Sequence, residues 1–355
     1  MNLTNCCINP WLVQKKALIK TRPVLEKATV ELYNSLSPGD ETTMVFADLG
    51  CSSGPNTLLV VSEVMSTLRA CTLQEIAPCN DFNLVFRSLE QQLPSFVPEE
   101  NKDESVGLSC YVAGLPGSFY TRLFPNHSVH LFHSSCSLMW RSKVPGDLSN
   151  GSHQNEENIY IGKTTTPTVV ALFKEQFQKD FKLFLTLRYK ELVSGGRMVL
   201  TFLGRKGEEM LMHGEVSSMW ELLAKALQSL VQMGRVEKAK LMSFNLPYYA
   251  PSVNEVNELI MEDHHFSIDD INVFESNWDP YDDSDSDVVL DCASSGKNVA
   301  NKSIRAVMEP LIVEHFGEAI LDELFMVFAS MVSKHLEIMK AKYPVIVVSL
   351  KKTMH

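Results

Sequence analysis

The chain has no G-x-G-x-x-G, no C-x-x-C, no excess of basic charge and no apolar run long enough to cross a bilayer. Each absence closes off a class. Without the dinucleotide fingerprint, a glycine turn here is not expected to cradle the pyrophosphate of NAD, which disfavours a dehydrogenase. Eight cysteines form no paired framework, and two of them, Cys6 and Cys7, are adjacent. Reduced thiols and a cytoplasmic location are therefore expected. The first thirty residues lack a basic region followed by a signal-length apolar core. A net charge of −11 on 355 residues argues against nucleic acid and membrane partners. It leaves a small anionic substrate open, because the local field of a pocket decides that. No Ser/His/Asp or paired-carboxylate signature stands out, and none is needed for a nucleophile that is already ionised.

What is present is a soluble composition, 45% hydrophobic and 21% charged, organised around Met44 to Thr57. Met44 to Ala47 is a short apolar run that reads as a buried parallel strand. Asp48 follows at its carboxyl end, Gly50 and Gly54 allow a tight turn, and Asn56-Thr57 open an apolar-periodic helix, Leu58 to Leu68. Strand, glycine turn and helix make a nucleotide-type cofactor site at the edge of an α/β sheet. The spacing is G-x-x-x-G with an acid before it. An acid there repels phosphate and suits a cationic ligand, which points to S-adenosyl-L-methionine with its sulfonium and ammonium.

Farther along, Val106 to Gly114, Val129 to His133, Arg197 to Leu203, Ile271 to Trp278 and Val345 to Leu350 read as strands. Helices are expected over Gln14 to Leu36 (interrupted by Pro23), Val169 to Leu192, Ser217 to Met233 and most of Asn298 to Met339. Asp147 to Glu157 reads as a polar linker, and the acidic run Asp279 to Asp287 as a solvated loop. His264-His265 has no ligand partner at metal spacing.

Several segments, in order, resemble the plant SABATH carboxyl methyltransferases. They are Asp48-Leu-Gly-Cys-Ser-Ser-Gly-Pro-Asn-Thr57, Gly117-Ser-Phe-Tyr-Thr-Arg-Leu-Phe-Pro125, Val129-His-Leu-Phe-His-Ser-Ser-Cys-Ser-Leu-Met-Trp140 and Asn158-Ile-Tyr-Ile. Glu191-Leu-Val-Ser-Gly-Gly-Arg-Met-Val199, Ser243-Phe-Asn-Leu-Pro247 and Arg305-Ala-Val-Met-Glu-Pro310 continue the series. The resemblance runs from about Gln14 to the end. It implies an α/β fold, a Rossmann-like methyltransferase sheet with an α-helical cap. The sheet domain would comprise residues 36–205 with 265–292 and 340–355, and the cap 1–35, 206–264 and 293–339. It further implies a homodimer that transfers methyl from S-adenosyl-L-methionine to the carboxylate of a small aromatic acid: salicylate, benzoate or anthranilate.

By the same resemblance, Asp48, Cys51 and Asn56 line the cofactor site, and Ser118 and Phe119 hold the adenine end. Trp140 donates its indole N–H to the acid's carboxylate, with the Gln14 amide as second donor. Met139 bears on acceptor choice, since relatives acting on those aromatic acids tend to carry Met or Gln there and those acting on jasmonate or indole-acetate often carry His. Met219, Trp220 and Tyr249 complete an apolar wall. Some relatives hold Mg²⁺ at positions that fall on Asn158, Met242, Phe244 and Asn245; Met242 stands where a carboxylate ligand is needed, and a hard cation takes oxygen.

The departures matter equally. The family's ribose-binding Asp falls on Ile76 and the next position on Ala77, with Glu75 one place off, in a short segment in which Leu73 to Ile76 is the one possible strand. Cys7 and Trp11 replace a Tyr and a Ser of the amino-terminal motif, and Cys136 replaces the Tyr of Ser-Ser-Tyr-Ser. These open two rival expectations: a relative with a degraded cofactor site, or a methyltransferase for jasmonate, indole-acetate or a purine.

Overall fold

The structure is a computed structural model that describes residues 11–36, 43–51, 56–72, 111–149, 151–284 and 286–353. Five strands, β1 (Phe46–Leu49), β2 (Val129–Ser135), β3 (Leu192–Leu203), β4 (Phe266–Asn277) and β5 (Lys342–Lys352), form one sheet in the order β1-β2-β3-β5-β4. The first three are mutually parallel, and β5 runs antiparallel between β3 and β4. The larger helices are α1 (Trp11–Ser35), α2 (Asn56–Thr72), α3 (Pro167–Glu191), α4 (Glu215–Gln232), α5 (Val253–Asp263), α6 (Cys292–Lys297), α7 (Arg305–Phe316) and α8 (Leu321–Ile338). No described helix is long and apolar enough to cross a membrane.

The central strands are apolar at nearly every position because both faces of the sheet are covered. Alternation sorts the side chains. Leu131, Val199 and Val347 meet Leu25, Ala28 and Leu32 of α1 and Val60, Val64 and Leu68 of α2. Their neighbours Phe132, Met198, Leu200, Phe202, Ile346 and Val348 join the larger core with Phe173, Phe177, Phe181 and Phe184. Those four phenylalanines recur at helical spacing and form the buried stripe of α3.

The segments expected to form the cap pack on one another, with α8 against α4 and α6. Gly296 permits the close approach of α6, since a Cβ there would lie 2.7 Å from the Ala329 carbonyl oxygen of α8. The helix α5 opens with a capping box in which Ser252 accepts from the Glu255 N–H and the Glu255 carboxylate accepts from the Ser252 N–H. Glu255 also takes Arg205 at 2.7 Å and the Tyr249 hydroxyl at 2.8 Å, which ties α5 to the end of β3. The amino-terminal helix α1 lies against α2 and β3, on the sheet itself.

Three sequence expectations change. The expected interruption at Pro23 is absent, and α1 continues through it. Pro23 sits on the exposed face of the helix with Ile19 and Arg22. Of the strand expected over Val106 to Gly114, Tyr111 to Gly114 is exposed and belongs to no sheet. The acidic run Asp279 to Asp287 is a tether as well as a loop: Asp279 is buried, Asp282 pairs with the buried Lys340 at 2.8 Å, and Asp283 pairs with Lys16 of α1 at 2.7 Å. The segment from Leu73 to Ala77, including Glu75 and Ile76, and the amino-terminal Cys7 lie outside the described residues.

Because the proline removes a hydrogen bond inside a 25-residue helix, Pro23→Ala is expected to raise the unfolding free energy by about 1–3 kcal/mol, read from denaturant midpoints at unchanged slope.

Candidate active site

The site begins where β1 and β2 end side by side. Their parallel register makes Asp48 and His133 direct partners, followed by Leu49 and Ser134. The Asp48 carboxylate and His133 Nδ1 are 2.7 Å apart, and the Ser134 hydroxyl donates to the Leu49 carbonyl at 3.1 Å. Beyond the strands both chains turn. Gly50 takes φ +76°, and Cys136 takes φ 54°. The second turn swings Ser137 back so that its hydroxyl donates to the Gly50 carbonyl at 3.1 Å. A side chain on Gly50 would collide with Ser137 Oγ, so this glycine answers both to its left-handed conformation and to a close approach.

A cavity opens here. Asp48, Gly50, Cys51, Asn56, His133 and Gln14 are among its lining residues. Gln14 arrives from α1, and Asn56 is the first residue of α2. The Asn56 amide donates to Gln14 Oε1 at 3.0 Å, which leaves the Gln14 amide nitrogen as the end of that side chain able to donate.

The segment from Ser118 to Phe124 is held against this edge by a buried ion pair at the end of α3. Arg188 and Glu191, both with fully buried side chains, lie 2.8 Å apart. Arg188 donates to the Phe119 and Thr121 carbonyls, and Glu191 accepts from the Leu123 and Phe124 N–H groups. Four backbone groups thus replace water around the pair, while Arg188 Nε and Glu191 Oε2 face each other as the ion pair. The result places Phe119 beside the glycine turn, where its ring lies 3.4 Å from the Cβ that Gly50 lacks. Ser118 is exposed, and its hydroxyl accepts from the Tyr120 N–H at 3.2 Å.

Tyr120 carries the connection onward. Its hydroxyl donates to the Trp140 carbonyl at 2.7 Å. Burial pushes that hydroxyl up to about 12, so it remains a donor at any physiological pH. Trp140 is half-buried and meets Trp220 of α4 and Tyr248 edge-on, with ring centroids 6.4 and 5.2 Å away. Met139 and Met219 are buried in the same core. The wall differs from expectation at one place. Tyr249 turns away, stacks on Phe177 at 4.9 Å and spends its hydroxyl on Glu255, while Tyr248 takes the position against Trp140. Successive residues of this extended segment point to opposite sides, so the two neighbouring tyrosines pack against different rings.

The family described as "SAM dependent carboxyl methyltransferase" matches residues 9–353. The chain belongs to that family. Among the carboxyl methyltransferases of Zea mays, the proteins named anthranilate O-methyltransferase 2 and benzoate O-methyltransferase are each 49% identical to it. The alignments cover 97% and 96% of this chain and 94% of each relative. The Zea mays protein named inactive anthranilate O-methyltransferase 1 is 48% identical over 96% of this chain and 93% of its own length. The solved structure titled loganic acid methyltransferase with SAH superposes with a TM-score of 0.76 at 27% identity, covering 98% of this chain and 96% of that one. This carboxyl methyltransferase therefore has the α/β methyltransferase fold, as its sequence suggested.

Two points complete the site. Asn158, Phe244 and Asn245, the positions for which the resemblance implied a Mg²⁺ site, make contacts within the protein. Asn245 Oδ1 accepts from Asn155 at 3.3 Å, Asn158 donates to Thr164 at 2.8 Å, and the Phe244 ring packs on His315 and Phe316. None of the three brings a carboxylate, and among the described residues no cluster of three His, Cys, Asp or Glu stands ready for a metal. Cys136, in the place of a tyrosine, is buried, and burial pushes its thiol up to about 11, so it serves as a small apolar residue. His133 was missed as a site residue. It stood in the sequence inside the expected strand and the Val129 to Trp140 motif without a role, and its contact with Asp48 spans 85 positions.

Gly50→Ala tests the turn. Left-handed strain and the collision with Ser137 are expected to cost more than about 1 kcal/mol of stability and to weaken S-adenosylhomocysteine binding, both measured on the same preparation by thermal unfolding and calorimetry.

Proposed function

We propose that this protein methylates the carboxylate of a small aromatic acid (anthranilate, benzoate or salicylate), giving the methyl ester. The observation that carries the reading is that Gln14, a donor suited to a carboxylate, lines the same cavity as Asp48, Gly50, Cys51 and Asn56. On this reading the acid donor Gln14 and the cofactor residues share one sheet edge.

The cavity suits a cationic cofactor. It offers the Asp48 carboxylate and a glycine turn and brings no Lys or Arg among its described lining residues. When bound, S-adenosyl-L-methionine supplies a methyl group on a positively charged sulfur. Asp48, Cys51 and Asn56 hold it on this reading, with Ser118 and Phe119 at the adenine end. The protein's task is alignment. The acid is ionised at neutral pH, so no residue has to remove a proton. The Trp140 indole N–H and the Gln14 amide fix the carboxylate, and the apolar wall of Met139, Met219, Trp220 and Tyr248 excludes water from the reacting oxygen. The segments 206–264 and 293–339 form the cap over the acid end.

Titration with S-adenosylmethionine, followed by an acceptor panel read as methyl ester by mass spectrometry, tests the reading. Turnover of at least one of the three aromatic acids above jasmonate, indole-acetate and a purine is expected. Trp140→Ala is expected to raise KM for the acid about ten-fold or more, through loss of one hydrogen bond to a charged group. Unchanged kinetics would remove Trp140 from the site.

A second reading is a relative that binds cofactor poorly or does not turn over. Ile76 in place of the ribose acid favours it, and a relative of near-equal identity bears the name inactive. A folded protein that binds no S-adenosylhomocysteine at millimolar concentration would select it. The expected homodimer is checked by light scattering.

A further inference from the structure

The contact between Asp48 and His133 has no part in the reading above beyond its place in the cavity. The imidazole is 1% exposed and the Asp48 side chain 10%. Both line the cavity. Among the described residues, His133 is the one side chain that bonds to the Asp48 carboxylate. An Asp drawn out of water at the end of a strand needs a donor, and a flexible carboxylate is a poor partner for a ligand that must be held in one pose. The strand register meets both needs. It sets the two Cα atoms opposite each other, so the ring plane of His133 and the carboxylate of Asp48 are fixed by the sheet and not by a loop.

We propose that His133 is the positioning residue of the cofactor site. Its Nδ1–H donates to Asp48 Oδ1 and leaves Asp48 Oδ2 for a cationic or hydroxyl group of the cofactor. This parallels metal sites, where a buried partner orients a ligating side chain and its loss costs about ten- to a hundredfold in metal affinity. The proposal rests on the reading of this cavity as the S-adenosylmethionine site.

The test is calorimetric titration of the full chain with S-adenosylhomocysteine, alongside thermal unfolding, for the wild type and for His133→Leu, His133→Asn and His133→Gln. His133→Leu keeps an apolar body of similar size and removes the donor; it is expected to bind about ten-fold or more weakly. His133→Asn places an amide N–H near the position of Nδ1 and is expected to recover affinity to within about three-fold of wild type. The amide of His133→Gln reaches where Nε2 lies, so weak binding is expected there. A purely structural role for His133 would lower the unfolding temperature in all three without this ranking of affinities. Leucine binding as well as histidine, or Asn and Gln variants equal in affinity, overturns the proposal. If His133→Leu does not fold, the Asn–Gln comparison decides alone. Absence of binding by a folded wild type overturns the cofactor reading itself, and the proposal with it.

Discussion

The parallel pairing of β1 with β2 is the constraint on which the site depends. Both strands are short, and both end at the same level, so the two turns that follow are forced into contact. Asp48 meets His133, the Leu49 carbonyl meets Ser134, and the Gly50 carbonyl meets Ser137. A slip of one residue in this register would reverse the faces and separate every pair. The register is held because both faces of the sheet are buried: Leu131 and Val199 pack toward α1 and α2, and Phe132 and Met198 pack toward α3. Hydrophobic burial on two sides therefore sets the position of polar groups at the edge.

A second constraint acts through charge. Arg188 and Glu191 are wholly buried, a placement that costs free energy unless every polar atom is used well. Here four backbone groups between Phe119 and Phe124 complete the pair. The clamp turns a segment without regular structure into a defined wall beside Gly50, and Tyr120 extends that wall to Trp140. The two ends of the site, one at the glycine turn and one at the aromatic cluster, are thus joined by the Phe119 ring beside Gly50 and by the Tyr120–Trp140 hydrogen bond.

The chemistry asks little more. Transfer of a methyl group to an ionised carboxylate needs no base and no metal-bound nucleophile, and the amide and aromatic character of the residues fits that economy. Around Asn245 and Phe244 the contacts are amide bonding and packing: Asn155 with Asn245, and Phe244 with His315 and Phe316.

Much of this was legible in the amino-acid order. The apolar run before Asp48, the G-x-x-x-G turn, the helix after Asn56 and the phenylalanine stripe of α3 are local patterns, and local patterns dictate strands, turns and helices. The family motifs likewise name their residues directly. What the order of residues could not decide is what meets across distance or which way a side chain turns. Pro23 reads as a break, yet α1 passes through it, because tertiary packing of Leu25, Ala28 and Leu32 outweighs the lost hydrogen bond. Tyr249 and Tyr248 are equivalent in sequence, and only the path of the extended segment sends one to Phe177 and the other to Trp140. Asp48 was marked by its neighbours, while its partner His133 lies 85 positions away and is supplied by the sheet. Short-range sterics and periodicity determined the elements; the pairing of strands buried on both faces decided the site.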